Sequence, residues 1–243
     1  MLDIHCHILP AFDDGSDNVA ESIAMARMAL DSGVTGIVVT PHFRGERESL
    51  TALNKLINRY ERLIQAVKRE ELPLRLFPGA EILCLPQTPE LARRRELPTL
   101  GNTDYLLVEF FFNESTAYMD NMLTALADCG YKPVIAHPER YEAVQEDPAV
   151  LEHWFRRGYV LQLNKGSILG AFGQKPERTA HWALERGFAH VVASDAHGIR
   201  HRTTDMRSLR QHLLQICPEA YVRILLERNP ERIVRGLPME PHE

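Results

Sequence analysis

The sequence predicts an α/β fold, a distorted seven-stranded (β/α)7 barrel related to the TIM barrel. Seven short apolar segments typical of buried strands alternate with helical stretches along the 243 residues. This alternation is typical of βα units around a parallel sheet. A side chain that can bind a metal or form a hydrogen bond follows each segment within a few residues. In barrels of parallel strands, such side chains meet at the C-terminal strand ends, so the pattern predicts one shared site.

No linker, low-complexity tract or internal repeat divides the chain, so we expect a single domain over residues 1–243. The predicted strands are short and rich in β-branched and aliphatic residues, as buried strands are. They cover residues 2–9, 36–40, 74–77, 105–108, 133–136, 159–163 and 190–193.

Helical spacing of apolar residues predicts the helices between these strands. The first helix begins after Asn18, with Glu21 as a capping partner, and ends at Gly33. Because proline lacks an N–H group, a helical tail is expected to break at each of its prolines. The other predicted helices cover residues 50–67 and 117–129, and the tail covers 206–234 with breaks at Pro218 and Pro230.

Composition excludes several classes of protein. The formal net charge is −5, which gives no basic face for nucleic acid. No apolar run approaches the ~20 residues that cross a membrane, and the first residues do not form a signal peptide. We therefore expect a cytoplasmic protein without membrane insertion. The four cysteines are widely spaced and typical of reduced thiols: Cys6, Cys84, Cys129 and Cys217.

The first strand carries His5 and His7, whose side chains share a face because successive strand residues alternate between faces. Cys6 points to the other face. Two imidazoles on one face can bind one metal ion, and Asp195 and His197 repeat this spacing after the last strand. Further candidates lie at the ends of the other strands or in the loop after the first one. The nine candidate ligands are His5, His7, Asp14, His42, Glu81, Glu109, His137, Asp195 and His197.

Each candidate alone has an ordinary explanation; Glu109, for example, could be a surface carboxylate. Their recurrence at the same end of successive strands favours a metal centre. One ion takes roughly four to six ligands, so the set indicates two or three ions, with Glu81 and Glu109 as candidate bridges. Imidazole and carboxylate ligands without thiolates suit manganese, iron or zinc. Clustered metals suit phosphoester hydrolysis.

Two arginines accompany the candidate ligands. Arg140 follows His137 by three residues, and Arg202 follows His197 by five. A guanidinium group can bind phosphate oxygens as a fork, although either residue could equally be an ordinary surface arginine.

A C-x5-R spacing, typical of cysteine-dependent phosphatases, occurs at Cys217 and Arg223. The residues between them include no glycine, and Pro218 offers no N–H group to a phosphate-binding loop. We interpret this spacing as coincidence.

Several short motifs stand in a specific order along nearly the whole chain. They are Asp3-Ile4-His5-Cys6-His7-Ile8, Asp13-Asp14-Gly15, Thr40-Pro41-His42, Gly79-Ala80-Glu81-Ile82, Leu107-Val108-Glu109-Phe110, residues 134–141, residues 193–197 and Asn229-Pro230. With these motifs the chain resembles the bacterial manganese-dependent protein-tyrosine phosphatases of the polymerase-and-histidinol-phosphatase (PHP) superfamily, which are associated with capsule and exopolysaccharide synthesis.

The resemblance implies a PHP-type barrel, a trinuclear centre built from the nine candidates, and phosphate binding by Arg140 and Arg202. It implies Mn²⁺ as the metal, with iron or zinc as alternatives, and hydrolysis of phosphotyrosine by a metal-activated water. Asp14 and His42 would be ligands that could also assist proton transfer. The implied partner is a phosphotyrosine-containing protein, a tyrosine autokinase that controls polysaccharide synthesis.

Two other functions stay open at this point. One is a PHP-type phosphoesterase for a small molecule such as histidinol phosphate. The other is a non-catalytic metal-binding regulatory module, although the complete ligand set argues against it. The sequence does not decide the native metal, the physiological substrate, the role of His201, the movement of loop 43–49, or the oligomeric state, for which a homo-oligomer is one alternative.

Overall fold

The computed structural model describes residues 1–45 and 49–240. In this part of the chain, strands and helices alternate as the sequence predicts. The strands are β1 Leu2–Cys6, β2 Gly36–Val39, β3 His42–Phe43, β4 Arg75–Pro78, β5 Glu81–Leu83, β6 Tyr105–Glu109, β7 Lys132–Ala136, β8 Val160–Asn164 and β9 Val191–Ala193. The helices are α1 Val19–Asp31, α2 Ser49–Arg69, α3 Thr88–Arg93, α4 Thr116–Asp128, α5 Glu142–Glu146, α6 Ala149–Arg156, α7 Lys165–Ile168, α8 Gln174–Glu185, α9 Arg207–Ile216, α10 Glu219–Arg223 and α11 Asn229–Val234.

The strands form two parallel sheets, with orders β1-β2-β4 and β3-β5-β6-β7-β8-β9. The predicted α/β class with parallel strands is confirmed, but the predicted single sheet of seven strands is not. Two strands that the sequence did not predict, β3 and β5, follow β2 and β4 after Pro41 and Gly79, and at each point the chain passes from one sheet to the other. Pro41 has no N–H group for a strand ladder. A Cβ atom at Gly79 would lie 2.8 Å from Val38 Cγ1, so only glycine allows this close approach.

The described residues contain no continuous closed sheet, although the two sheets meet beside β1. Cys6 and Ala196 form an isolated parallel bridge. Next to it, His7 N donates to Ala196 O at 2.9 Å, and Asp195 N donates to His5 O at 2.8 Å. These bonds join the end of β1 to the segment that follows β9.

A β-bulge in β1 decides which of its side chains face the centre. Asp3 pairs with Ile37 and Cys6 pairs with Val39, so β1 has one residue more than β2 over the same span. An extra residue reverses the alternation of faces. As a result, Ile4 packs in the inner apolar cluster although His5 also points to the centre, and Cys6 packs in the outer core.

The inner apolar cluster joins both sheets. It contains Leu2, Ile4, Val38, Leu100, Tyr105, Leu107, Val134, Ala136, Val160, Val191, Ala193, Ile233 and Val234. The larger outer core holds the alternate residues of the same strands against the helices, such as Leu106 and Val108 of β6.

Helix termini follow the predicted signals, with one exception. Asn18 Oδ1 accepts a hydrogen bond from Glu21 N at 3.1 Å, and Gly33 follows α1 with φ +88°. The predicted break at Pro218 is confirmed. The break predicted at Pro230 is wrong, because a π-helical turn over Ile224–Arg228 joins α10 to α11. The wider turn accommodates a proline that lacks the N–H group of a regular helical ladder.

Part of the predicted loop 43–49 lies outside the described residues, namely 46–48. Among the described helices, none is long and apolar enough to cross a membrane. All four cysteines are free. The structure agrees with our rejection of the C-x5-R spacing, since Cys217 N bonds to Leu213 O and Arg223 pairs with Glu227.

Candidate metal centre

All nine predicted ligands converge at the C-terminal ends of the strands, and Glu81 lies in the middle of them. Its Oε1 is 2.9 Å from His137 Nε2 and 3.2 Å from His5 Nε2. Its Oε2 is 3.1 Å from His42 Nδ1 and 3.3 Å from His7 Nε2. The carboxylate of Glu81, exposed by only 1%, therefore faces four imidazoles. This geometry suits the bridging role that the sequence suggests for it.

The other three carboxylates extend the cluster to both sides. Asp195 Oδ1 lies 3.4 Å from His5 Nε2 and 3.5 Å from His197 Nδ1. Asp14 Oδ1 lies 3.3 Å from His42 Nε2 and 3.5 Å from His197 Nε2. On the opposite side, Glu109 Oε1 lies 3.0 Å from His42 Nδ1. The convergence that the sequence predicts is thus present, and ligation by these residues stays a prediction.

Three groups of donor atoms are close enough to hold a metal ion, with all donor atoms of a group within 4.8 Å of one another. The groups share His7, His42 and Glu81. One imidazole nitrogen binds one ion, so the groups overlap and do not define three independent sites. They are His7–Asp14–His42–His197, His5–His7–Glu81 and His42–Glu81–Glu109.

Buried atoms without a hydrogen-bond partner provide a further test of whether a metal fits. Such atoms include Glu81 Oε2, His42 Nδ1 and His197 Nε2, which belong to the cluster. Buried polar atoms are rarely left without a partner, because their desolvation then has no compensation. A bound cation would supply that compensation, and the nitrogen and oxygen donors suit one.

Three histidines are oriented by hydrogen bonds on the side away from the cluster. His5 Nδ1 is 2.7 Å from Gln162 Oε1, His7 Nδ1 is 2.7 Å from Asp13 Oδ2, and His197 Nδ1 is 3.0 Å from the Asp195 carbonyl oxygen. Each acceptor favours a proton on Nδ1. In the neutral imidazole, Nε2 then has its lone pair towards the centre, which is the arrangement typical of metal-binding histidine.

The pKa values show that the cluster attracts positive charge. Burial lowers the pKa of His5, but Glu81 and Asp195 outweigh burial and raise it to about 9. Burial likewise opposes protonation of His42, yet Glu109 and Glu81 raise its pKa to about 11. His197 is the exception, since burial and the charge of His7 lower its pKa to about 3. Carboxylates thus dominate the local field, and metal ions would replace the protons held by His5 and His42.

Both predicted arginines lie beside Asp195. Arg202 Nη2 is 2.6 Å from Asp195 Oδ1, and Arg140 Nη1 is 3.6 Å from Asp195 Oδ2. Both line a cavity of 270 Å³ together with the ligand candidates Asp14 and Glu109. Their guanidinium groups therefore face the space where a phosphoryl group would meet the metals. His201, whose role the sequence leaves open, is exposed.

Three of the seven described non-glycine residues with positive φ lie at this centre. His137, Asp195 and Arg202 have φ values of +35°, +50° and +47°. Non-glycine residues rarely adopt such values, each at a cost of about 1–3 kcal/mol, and strain of this kind clusters at functional sites. Gly15 is required for a different reason, since a Cβ atom there would lie 2.5 Å from His7 Cβ.

Sequence reasoning missed the residues that orient the predicted ones. Gln162 and Asn164 alternate along β8 and so share the face that points to the centre; Asn164 Nδ2 donates to Asp195 Oδ2 at 2.5 Å. That alternation was a usable signal for Gln162. Asp13 could have been found as the neighbour of Asp14. Lys165, which donates to Thr203 O beside Arg202, gave no sequence signal.

Comparisons with known proteins show which family and which relatives the chain is similar to. The family described as "Capsular polysaccharide synthesis, CpsB/CapC" matches residues 1–235. The chain is 39% identical over 211 residues to the tyrosine-protein phosphatase YwqE of Bacillus subtilis (strain 168), an alignment that covers 83% of this chain and 79% of that protein.

Solved structures give the same result. One chain from crystal structures of YwqE from Bacillus subtilis and CpsB from Streptococcus pneumoniae, described as unique metal-dependent tyrosine phosphatases, matches with a TM-score of 0.86 and 32% identity over 100% of both chains. A lactonase from Listeria monocytogenes matches with a TM-score of 0.59 over 98% of this chain and 92% of that chain. Its identity of 12% indicates a shared fold only.

Proposed function

We propose that this chain, which belongs to the capsular polysaccharide synthesis CpsB/CapC family, is a metal-dependent phosphatase that removes phosphate from phosphotyrosine in proteins. One observation carries the proposal: the nine donor residues cluster at the strand ends, and five of them line one cavity together with Arg140 and Arg202. A phosphoryl group needs positive charge around its oxygens in the transition state; the arginines offer it here, and metal ions held by the proposed ligands would add to it.

The proposed ligands are the nine candidate residues, and the proposed metal is Mn²⁺ in two or three copies, with iron or zinc as alternatives. When bound, the metal ions supply Lewis-acid charge and an activated water molecule for phosphoester hydrolysis. The overlapping donor groups and the partnerless buried atoms support this assignment.

The chain's own residues hold the phosphoryl group and manage protons. Arg140 and Arg202 bind phosphoryl oxygens through their N–H groups, after Asp195 has oriented Arg202. Asp14 and His42, 3.3 Å apart at the more exposed side of the cluster, are placed to hold a proton near the leaving oxygen. A phenol leaves with a pKa near ~10, far below that of a serine alcohol, so a strong general acid is not required.

The proposed substrate is the phosphorylated tail of a tyrosine autokinase that controls capsular or exopolysaccharide synthesis. We further infer a cytoplasmic protein in which residues 1–243 form one domain, a distorted seven-stranded barrel of PHP type. The bridge between Cys6 and Ala196 and the inner apolar cluster shared by both sheets support the barrel. A homo-oligomer remains part of the proposal, to be tested by light scattering.

The test is phosphate release by protein that has been stripped of metal and reloaded with manganese. A phosphotyrosyl peptide, a phosphoseryl peptide and histidinol phosphate are compared, each with and without a chelator. We expect turnover of the phosphotyrosyl peptide that the chelator abolishes. Faster turnover of histidinol phosphate would favour the small-molecule alternative. Metal binding without any turnover would favour the regulatory module.

A further inference from the structure

Arg140 lies over the faces of two aromatic rings. Its guanidinium carbon is 4.4 Å from the centroid of the Phe112 ring and 4.3 Å from the centroid of the Phe172 ring. Phe112 follows β6, and Phe172 lies between α7 and α8, so segments far apart in the chain form this stack. A guanidinium over an aromatic face is attracted by the negative charge of the ring face.

We propose that Phe112 and Phe172 are positioning residues that fix the guanidinium of Arg140 for binding a phosphoryl group. The proposal rests on the proposed function of the centre. Neither ring is a proposed metal ligand, so each would act through Arg140. Because the guanidinium lies over two ring faces, its orientation is restrained, and the N–H groups in its plane keep one direction, as a fork of donors to phosphate oxygens requires.

A comparison of the two arginines explains why Arg140 requires such support. Arg202 is held by two oxygen acceptors, since its Nη2 lies 2.6 Å from Asp195 Oδ1 and its Nε donates to the Asp195 carbonyl at 3.2 Å. The ion pair of Arg140 with Asp195 Oδ2 measures 3.6 Å, which is beyond hydrogen-bonding distance. The two rings therefore restrain Arg140, as the oxygens of Asp195 restrain Arg202.

Both rings are themselves anchored to the centre. A Cβ atom on Gly166 would lie 2.5 Å from Phe172 Cε2, so the ring packs directly on the α7 backbone. Gly166 N also donates to Asn164 Oδ1 at 2.7 Å, and Asn164 bonds to Asp195. The Phe112 ring meets His137 edge-on with centroids 5.9 Å apart. The stack thus has a fixed position relative to proposed metal ligands.

Phe172 gives the sharper test of the two rings. Phe112 lines the 270 Å³ cavity and is 42% exposed, so it could also contact substrate directly. Phe172 does not line that cavity; it lines a second cavity of 480 Å³ beside Phe112 and Arg140, and its described contact with the phosphate-facing side is with Arg140. Phe111 lines the same cavity with 53% exposure and makes none of the described cation–π contacts, which makes it a matched control.

The experiment is a double-mutant cycle on manganese-loaded protein with inorganic phosphate as the probe, measured by calorimetry. We expect Phe172→Leu to weaken phosphate binding by about fivefold to tenfold and Phe111→Leu to leave it within twofold, since one aromatic face is lost only in the first variant. In an Arg140→Ala background, Phe172→Leu should have no further effect. Phe172→Tyr, which keeps the ring face, should bind phosphate like the unmodified protein.

Steady-state kinetics on a phosphotyrosyl peptide separate this inference from the proposed function. Equal effects of Phe172→Leu with and without Arg140, or no effect at all, would overturn the positioning role, as would absence of phosphate binding by the loaded unmodified protein. If the double-mutant cycle gives the expected result for phosphate binding but phosphotyrosine is not hydrolysed, the positioning role of the rings stands and phosphotyrosine is not the substrate. Metal content and the unfolding temperature of each variant show whether it has kept its fold.

Discussion

The strands that face the centre are divided into two halves with opposite chemistry. Near their N-terminal ends, Leu107 of β6 and Val191 of β9 pack in the inner apolar cluster. Glu109 lies two residues after Leu107, and Asp195 lies four residues after Val191; both belong to the candidate metal centre. In β6, one alternation of faces builds both halves, whereas in β1 the bulge brings Ile4 and His5 to the same side. The apolar half stabilises the fold, whereas buried charge and strained backbone in the polar half lower its stability.

The largest effects are expected in the polar half. His5→Ala and Asp195→Ala should each remove a metal ligand and lower kcat/KM on a phosphotyrosyl peptide by about a hundredfold or more, because charge stabilisation at the phosphoryl group is lost. Metal content by mass spectrometry should fall in parallel, while circular dichroism stays unchanged. Turnover that persists with fewer bound ions would show that these residues are not essential ligands.

The apolar half should respond in the opposite way. Leu107→Ala creates a cavity in a fully buried position and should lower the free energy of unfolding by about 2–5 kcal/mol. Urea unfolding of the metal-free protein measures this loss. At temperatures where the variant is folded, its metal content and KM should match those of the unmodified protein. A loss of metal at full folding would mean that the two halves are not separable.

A smaller effect is expected from the residues that orient the ligands. Gln162→Met removes the acceptor for His5 Nδ1 with little change in volume, and it should weaken metal binding by about tenfold to a hundredfold. Leu163→Met, one residue away on the outer face of β8, is the control and should leave metal affinity unchanged. Competition with a fluorescent chelator gives both affinities. Equal affinities in the two variants would contradict the role assigned to Gln162.

The smallest and most gradual effect is that of pH on the metal-free protein. The pKa values of His5 and His42 are raised from 6.5 to about 9 and about 11, so their contribution to stability is complete below pH 6.5 and is lost as pH rises through those values. Metal binding must displace the same protons, so it strengthens over this range.

Thermal unfolding at pH 7 and pH 10, with manganese or with a chelator, tests this sign. The unfolding temperature of the chelated protein should fall towards pH 10, and the difference between loaded and chelated protein should widen. A difference that narrows with rising pH would show that protons and metal do not compete at these histidines.

Local patterns were enough to predict which candidate ligands converge, because residue type and strand spacing are properties of short segments. His5, Glu109 and Asp195 could be located by their positions at strand ends alone. Pro41 and Gly79 can be read from the sequence, but the sequence does not show that the chain passes to the other sheet after each of them. That change depends on which neighbouring strand pairs with each fragment.

The sequence by itself thus determined the α/β class, the alternation of apolar strands and the set of candidate donors. Tertiary structure decided the bulge in β1 that brings Ile4 and His5 to the same side, and the continuous helix through Pro230. It also decided the aromatic stack on Arg140. These features result from packing between segments distant in the chain. Such packing contributes more free energy than the local conformational preference of single residues, so it decides these features.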